Sequence, residues 1–464
     1  MLIARSVFPL ILLLAGALLV SACGSSDNGS TTSSPTGSPA ATPTPSGPTP
    51  VPGPGVTATQ ITLGMTNDMA GTGDTPYAAI TLAMQAYFRK LNTEDGGICG
   101  RDVNLAVEDD TYSPQLALAQ TKKLVEQTGV LAMAGGLGTE AQQGVAAYLN
   151  DPNADGDKSD GVPDLFVSSG WSGWKDSATF PWTIGYIPDY ETDGVVLARY
   201  AAANLPGMKL GIIYADDTVG KDYLAGFTAG LADASLLVSQ YAFPVGATTL
   251  TDQLTRAKTD GAEAVLLAAT PDMSALAIQE AVAMQYTPKW LLSYTNAPSM
   301  LASRLGGGSA ADQLLAGFQK LDGAVSTEYL LSPVEDEDAA AMNEHTRIMQ
   351  TYEGPTVSSL TVYGQSLAEA IVETLGRSCG NLTRAGLLAA AESIGGFHSS
   401  LMLPGVTVDL AHTDHRSVQA LQAVVIHADS SVTPDGPVID ASVAAATPTA
   451  APSAVTLTPT PPPA

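Results

Sequence analysis

Positively charged residues are scarce in this chain. Its 464 residues include 20 Lys and Arg against 46 Asp and Glu, which gives a formal net charge of −26. A nucleic-acid partner needs a basic stripe that replaces counterions, and an anionic lipid surface needs a polybasic segment. The sequence contains neither. The composition therefore excludes nucleic acid as a partner and indicates a solubilising acidic surface.

Signatures of hydrolytic chemistry are also missing. The sequence has neither a Gly-x-Ser-x-Gly elbow nor a His-Glu-x-x-His pair, and its five histidines are scattered. Cysteine is rare: besides Cys23 only Cys99 and Cys379 occur, and a two-cysteine metal site would need further ligands nearby. We therefore predict no enzymatic activity and no catalytic residue.

A long apolar run occurs near the N-terminus, at residues 7–20, behind the cation Arg5. It is too short for a stop-transfer helix but fits the core of a signal peptide. Ser21 and Ala22 before Cys23 resemble the bacterial lipoprotein signal, in which cleavage precedes the cysteine and the cysteine carries acyl chains. We expect residues 1–22 to be removed and Cys23 to anchor the protein, through palmitate-like chains, on the extracytoplasmic face of the cell membrane. The alternative is a secretory signal with a chance cysteine.

Two segments are poor in residues that could form a core. Residues 23–55 are rich in Ser, Thr, Pro and Gly, and residues 443–464 have the same character. The first is predicted to be an extended tether and the second a disordered tail. The stretch between them is longer than a single hydrophobic core usually becomes, so two lobes are expected.

The two remaining cysteines are candidates for a disulfide. Cys99 and Cys379 both lie in short loops beside glycine. An exported location favours a bond between them. Such a bond would place a loop near the start of the core beside one far downstream, so the chain would return to its first lobe.

Strand and helix patterns alternate along the core. Residues 61–65, 103–107 and 130–134 have buried-strand patterns, each followed by a segment with helical apolar spacing, and the alternation resumes after residue 210. It predicts an α/β fold with parallel sheets covered on both faces. Ligands bind such sheets at the carboxyl ends of the strands.

Several short motifs occur in an order and spacing that resemble one family. They are Gly-Gly-x-x-Gly-Arg at 96–101, Glu-Asp-Asp at 108–110, Phe-Pro-Trp-Thr-Ile-Gly at 180–185, Gly-Lys-Asp-Tyr at 220–223 and Thr-Asp-His-Arg at 413–416. From about residue 57 to 428 the chain resembles the branched-chain amino-acid-binding family of ABC importers. The resemblance implies the type I periplasmic-binding-protein fold, with two similar doubly wound parallel-sheet lobes joined by a three-crossover hinge. Lobe one would comprise 57–184 plus 326–396, and lobe two 188–322 plus 400–440.

Two strand-end loops of the first lobe are candidate ligand contacts. The turn at 136–140 opens a helix whose N–H groups and dipole suit a carboxylate, and the loop at 168–172 carries three serine hydroxyls and a tryptophan. The resemblance implies that these loops hold the carboxylate and amine of the ligand. The alternative is that they only cap helices. The candidate residues are Gly138, Thr139, Ser169, Gly170, Trp171 and Ser172.

The second lobe departs from the family pattern. Members that hold α-amino acids place a carboxylate at a strand end against the ligand ammonium, but residues 293–296 here read Ser-Tyr-Thr-Asn. An ammonium buried without a counter-charge is costly. Asp217 or Asp272 could substitute, so the ligand class stays open between an amino acid, a neutral amide and a simple carboxylate. The predicted contacts of this lobe are Asp217, Thr270, Asp272, Tyr294 and Thr295.

An acidic insertion at 151–161 follows the logic of a calcium loop. Oxygen-bearing residues occupy positions 1, 3 and 5, and Gly156 provides the sharp turn at position 6. Val162 replaces the usual glutamate at position 12, so Asp160 or Asp164 would take that role. Structural calcium and a solvated acidic loop are the alternatives, and no other cofactor is predicted. The candidate ligands are Asp151, Asn153, Asp155, Asp157 and Asp160.

These features together predict an extracytoplasmic solute-binding lipoprotein. It would capture a small polar molecule between its lobes and deliver it to the permease subunits of an ABC importer, with ligand affinity driving closure. A monomer is expected. The alternatives are a receptor of the same fold that acts on a membrane signalling partner and, less favoured, an anchored surface hydrolase.

Overall fold

The computed structural model describes residues 51–70, 77–334, 336 and 339–442. The predicted signal peptide 1–22, Cys23 with its expected acyl chains, most of the tether and the tail at 443–464 lie outside the described residues. Within the described ranges, no helix combines the length and the apolar character that crossing a membrane requires.

The first sheet is built from the N-terminal part of the chain. Its strands are β1 (Gln60–Asn67), β2 (Asp102–Asp109), β3 (Met133–Ala134), β4 (Asp164–Val167) and β5 (Thr183–Gly185). They are all parallel and lie in the order β2-β1-β3-β4-β5. The helices that pack with this sheet are α1 (Ala78–Glu94), α2 (Pro114–Lys123), α3 (Thr139–Asn150), α10 (Ala340–Thr351), α11 (Ser359–Arg377) and α12 (Arg384–Glu392).

The second sheet has seven strands, and the two at one edge are joined to it by antiparallel pairing. The strands are β6 (Leu210–Ala215), β7 (Leu237–Phe243), β8 (Ala264–Ala268), β9 (Lys289–Leu292), β10 (Val325–Glu328), β11 (Ala420–Ile426) and β12 (Val432–Asp440). Their order is β12-β11-β10-β9-β8-β6-β7. The helices of this part are α4 (Tyr190–Asn204), α5 (Thr218–Gly230), α6 (Thr251–Asp260), α7 (Pro271–Ala283), α8 (Pro298–Gly306) and α9 (Ala311–Lys320). The predicted α/β class with two parallel-dominated sheets is confirmed, and only the antiparallel β11 and β12 depart from it.

The strands are buried as the apolar patterns require. Ile61, Leu63 and Met65 of β1 are fully buried in a core that includes apolar residues of α1 and α11. In the second sheet every residue of β8 is buried. Both sheets are therefore covered on both faces, as continuous apolar strands predict.

The chain passes between the two sheets three times: between β5 and α4, between β10 and α10, and between α12 and β11. The lobe boundary predicted at residue 326 falls inside β10. That strand belongs to the second sheet, because Val325 pairs with Leu291 of β9 and residues 325–328 run antiparallel to β11. The chain leaves the second sheet only after Glu328. The Val-Ser-Thr-Glu segment is short and half polar, so its sequence carries little strand signal, and sheet pairing decides its conformation.

A disulfide joins Cys99, in the loop after α1, to Cys379, just after α11. The two Cα atoms are 5.3 Å apart across 280 residues of sequence. The bond links the returning segment to the first sheet's first helix, which is the connection that the sequence predicted.

Candidate functional site

A cavity of about 450 Å³ lies between the two sheets. Its wall includes the loops that follow β2, β3 and β4 of the first sheet and β6, β8, β9 and β10 of the second. These are carboxyl ends of strands, where α/β sheets generally bind ligands. The cavity is therefore the candidate ligand site.

The structure places six of the eleven predicted contact residues in the wall of this cavity and five outside it. The six in the wall are Gly138, Thr139, Asp217, Thr270, Tyr294 and Thr295. The five outside are Ser169, Gly170, Trp171, Ser172 and Asp272. Each of the five has a contact elsewhere that accounts for its position.

The turn at the start of α3 is already engaged in hydrogen bonds. Thr139 Oγ1 lies 2.9 Å from Ser169 Oγ and 3.2 Å from the Tyr190 hydroxyl. The N–H of Gly138 donates to the carbonyl of Ser168 at 3.2 Å. The predicted carboxylate-binding turn is formed, but its hydroxyl and its glycine N–H hold the β3 and β4 loops together.

Gly170 and Trp171 have packing roles beside the cavity. A Cβ atom at Gly170 would stand 2.6 Å from the Tyr190 ring, so the position has no space for a side chain. The Trp171 ring packs edge-on against Trp174 and Phe180, with centroid distances of 4.8 and 5.6 Å. Trp171 therefore stabilises its own loop instead of lining the cavity.

Ser172 makes the contact that bridges the two sheets. Its backbone N–H donates to Asp222 Oδ2 at 2.7 Å, and its hydroxyl donates to Asp222 Oδ1 at 3.0 Å. Asp222 lies on α5, which packs with the second sheet, whereas Ser172 follows β4 of the first. Nearby, Lys175 pairs with Glu191 of α4 at 2.5 Å. The Gly-Lys-Asp-Tyr motif that contains Asp222 was recognised in the sequence, but its bond to Ser172 was not predicted.

The two carboxylates predicted to replace the missing acid have different positions. Asp217 lines the cavity and caps α5, since it accepts the N–H of Gly220 at 2.9 Å. Thr270 caps α7 in the same way, facing the N–H of Met273 at 3.5 Å. Asp272 instead pairs with Arg304 at 2.5 Å outside the cavity. Of the two, only Asp217 is placed where it could face a ligand.

Asp193 of α4, which the sequence reasoning missed, organises three residues of the cavity wall. Its carboxylate accepts hydrogen bonds from the Thr327 hydroxyl at 2.5 Å, the Tyr223 hydroxyl at 2.9 Å and the backbone N–H of Tyr294 at 3.4 Å. Burial raises the pKa of Asp193 to about 6. The first turn of α4 is acidic and contains both Asp193 and Glu191. Asp193 is buried, whereas Glu191 is partly exposed and forms a salt bridge with Lys175, and no sequence pattern distinguishes the two.

Seven tyrosines line the described wall of the cavity, and the hydroxyls of Tyr190, Tyr223, Tyr294 and Tyr363 bond to the protein. Tyr190 and Tyr223 contact Thr139 and Asp193 as described, Tyr294 donates to the Pro188 carbonyl at 2.5 Å, and the Tyr363 hydroxyl lies 2.5 Å from Ser168 Oγ. The rings of these four therefore form much of the wall while their polar ends point into protein. The tyrosines are Tyr77, Tyr112, Tyr190, Tyr223, Tyr294, Tyr329 and Tyr363.

The acidic loop at 151–161 lies away from the cavity and turns many of its oxygens onto its own backbone. Asp151 accepts the N–H of Gly156 at 3.0 Å, and Asp157 accepts that of Ser159 at 2.9 Å. Among the residues that the structure describes, no group of three or more His, Cys, Asp or Glu is arranged to hold a metal ion. Calcium binding by this loop stays a prediction.

A family model described as periplasmic binding protein matches residues 60–431. The chain has no match among curated protein sequences.

Three solved structures have the same fold at low sequence identity. A branched-chain amino acid ABC transporter protein from Thermus thermophilus with bound valine has a TM-score of 0.67 and 18% identity, over 82% of this chain and 96% of that one. A fatty acid ABC transporter substrate-binding protein from Thermomonospora curvata has a TM-score of 0.66 and 21% identity, over 84% and 95%. LivJ from Streptococcus pneumoniae in complex with isoleucine has a TM-score of 0.63 and 15% identity, over 82% and 100%.

Proposed function

We propose that this chain, which belongs to the periplasmic binding protein family, is an extracytoplasmic solute-binding lipoprotein that delivers a small molecule to the permease of an ABC importer. The observation that carries the proposal is the cavity wall, to which strand-end loops of both sheets contribute. A molecule held there contacts both lobes at once. Binding therefore favours the arrangement in which the lobes are close.

The bonds between Ser172 and Asp222 support this mechanism. They join a first-sheet loop to a second-sheet helix, so they form only when the lobes approach. Ligand affinity would supply the free energy of closure, and the permease would recognise the closed form.

We propose that no bond is made or broken at the site. The two serine hydroxyls just after β4 face other hydroxyls: Ser169 faces Thr139, and Ser168 faces Tyr363. A serine nucleophile would need an adjacent base, and histidine is not among the described residues of the cavity wall. The related structures are named for valine, isoleucine and fatty acid, so the fold by itself leaves the solute open.

The membrane attachment in this proposal rests on the sequence around Cys23. Acyl chains on that cysteine would hold the protein on the outer face of the membrane, with residues 24–55 as the tether. Mass spectrometry of the N-terminal peptide of the membrane-bound protein tests this. An unmodified N-terminus from cleavage at another position would contradict it.

Solute capture is tested with the full chain and a small-molecule extract of the cells that produce it. The protein is incubated with the extract, separated from free molecules by gel filtration and analysed by native mass spectrometry. We expect a retained small molecule that is lost in Ala269→Trp, which fills the cavity wall. Ala229→Trp on the exposed side of α5 is the matched control and should retain it. Retention of nothing, or equal retention by Ala269→Trp, would overturn the proposal.

A further inference from the structure

The charges around the cavity are all of one sign. Glu140, Asp217 and Glu328 contribute to its wall, and no Lys, Arg or His does so among the described residues. The internal residues that the structure does not describe, 71–76, 335, 337 and 338, include no basic residue in the sequence either. An anionic ligand would therefore meet carboxylates but no basic side chain in the described wall, which is unfavourable in a partly desolvated site.

The turn that would hold a carboxylate offers little compensation. The Thr139 hydroxyl is bonded to Ser169 and Tyr190, and the Gly138 N–H is bonded to Ser168. Glu140 adds a negative charge in the first turn of α3, and this charge offsets the attraction of the helix N-terminus for an anionic ligand. Because Gly138 also lies against the Tyr112 ring, with only 3.1 Å available to an added Cβ atom, the approach to this turn is narrow.

The tyrosine wall suits a cation with an apolar body. Since the hydroxyls of Tyr190, Tyr223, Tyr294 and Tyr363 bond to the protein, their ring surfaces are what remains for a ligand. In the part of the wall that the first lobe contributes, the rings of Tyr112 and Tyr77 stack with a centroid distance of 5.8 Å. Aromatic faces attract ammonium groups and pack against flat apolar groups, so this wall and the carboxylates favour the same kind of ligand.

We propose that the cavity binds an organic cation whose charge is carried on an apolar, ring-bearing body, and that it discriminates against anions and zwitterionic amino acids. This inference rests on the proposed function, because it names the class of solute that the same cavity captures. The volume of about 450 Å³ is in the range of pockets that take ligands larger than a simple amino acid. The ring would pack among the tyrosines, and the charge would lie towards a carboxylate of the wall.

The test uses four probes of matched size on the full chain: 2-phenylethylammonium, 3-phenylpropanamide, 3-phenylpropanoate and phenylalanine. Binding is measured by titration calorimetry and by the midpoint of thermal unfolding. We expect the ammonium probe to bind at least about tenfold more tightly than the amide, and neither the carboxylate nor the amino acid to shift the midpoint. The proposal would be overturned if the amide, the carboxylate or phenylalanine bound as tightly as the ammonium probe or more tightly. It would also be overturned if none of the four probes bound.

Two variants identify the source of the discrimination. Glu140→Gln and Glu328→Gln keep the side-chain shape and each remove one carboxylate from the wall, and at least one of them should weaken the ammonium probe by about tenfold while leaving the amide unchanged. Asp312→Asn, on the exposed surface of α9, removes the same charge elsewhere and should change neither. If neither glutamine variant weakens the ammonium probe, the proposal is wrong. A molecule retained from the cell extract would still support solute capture, so the two failures are distinguishable.

Discussion

Asp222 accepts two hydrogen bonds from Ser172, one from the backbone N–H at 2.7 Å and one from the hydroxyl at 3.0 Å. The two residues are 50 positions apart in sequence and belong to elements of different sheets. Hydrogen bonds to a charged group contribute more than neutral ones, about 1.5–3 kcal/mol each. The pair therefore stabilises the arrangement of the two lobes seen in this structure.

Removing this bridge should favour the open arrangement. We expect Asp222→Ala to weaken ligand binding by roughly tenfold, mainly through faster dissociation, and to increase the radius of gyration of the ligand-bound protein. Stopped-flow kinetics and small-angle scattering measure the two effects. Asp252→Ala breaks an exposed pair with Arg256 on α6 and should change neither. An unchanged dissociation rate in Asp222→Ala would show that the bridge does not hold the lobes closed.

Protonation of Asp193 should make the folded protein's stability depend on pH. Burial raises its pKa from 3.8 to about 6, against the hydrogen bonds from Thr327 and Tyr223 that favour the charged form. A raised folded-state pKa means that the folded protein binds the proton more tightly than the unfolded chain. The contribution of this carboxyl group is therefore most favourable below about pH 4 and is lost as the pH rises to about 6.

The measurement compares the wild type with Asp193→Asn, which cannot titrate. We expect the free energy of unfolding of the wild type, minus that of the variant, to fall by roughly 3 kcal/mol between pH 4 and pH 7. Urea unfolding at several pH values gives this difference. Asp312→Asn, exposed on α9, is the control for the loss of one carboxylate elsewhere. A flat difference for Asp193→Asn as well would mean that the carboxyl group is not buried as the structure has it.

The disulfide between Cys99 and Cys379 should contribute strongly to stability, because it closes a loop of 280 residues. Cross-links of this kind restrict the unfolded chain and typically contribute about 2–5 kcal/mol. We expect the double variant Cys99→Ser and Cys379→Ser to lose stability in this range, and reduction of the wild type to have the same effect. Reductant should leave the double variant unchanged. An effect of reductant on the double variant would point to a different thiol.

Two helix glycines should respond in opposite directions to alanine. A Cβ atom at Gly226 of α5 would stand 2.0 Å from the Glu191 carbonyl of α4, so Gly226→Ala forces the two helices apart. We expect it to destabilise the protein by about 1–3 kcal/mol or more. Gly376 of α11 has space, with its nearest neighbour at 3.7 Å, so Gly376→Ala should stabilise by up to about 1 kcal/mol. Thermal unfolding measures both, and equal effects would contradict the helix contact.

Part of the site could be predicted because strand-end loops are recognisable from local patterns. Thr139 and Asp217 each follow a short apolar strand, and both line the cavity. The loop at 168–172 was recognised by the same reasoning, yet Ser172 faces Asp222 and Gly170 lies against Tyr190. A strand-end position brings a residue near the site, but the direction of its side chain depends on packing partners that are distant in sequence.

Residues within helices were beyond that reasoning. Asp193 and Tyr363 contact the cavity wall from α4 and α11, where polar residues ordinarily face solvent. Their burial follows from the first and second passages of the chain between the sheets and from no pattern of their own. Strand β10 was assigned to the wrong lobe for the same reason, because its pairing with β9 and β11 decides its place.

The sequence by itself determined the α/β class, the family resemblance and the excess of negative charge, since alternating patterns, motif order and composition are all properties of neighbouring residues or of simple counts. Only the tertiary structure decided which serines and carboxylates face the cavity and which bond to each other. Those choices depend on side chains that meet across 50 to 195 positions, as Ser172 meets Asp222 and Ser168 meets Tyr363, and chain packing alone brings them together.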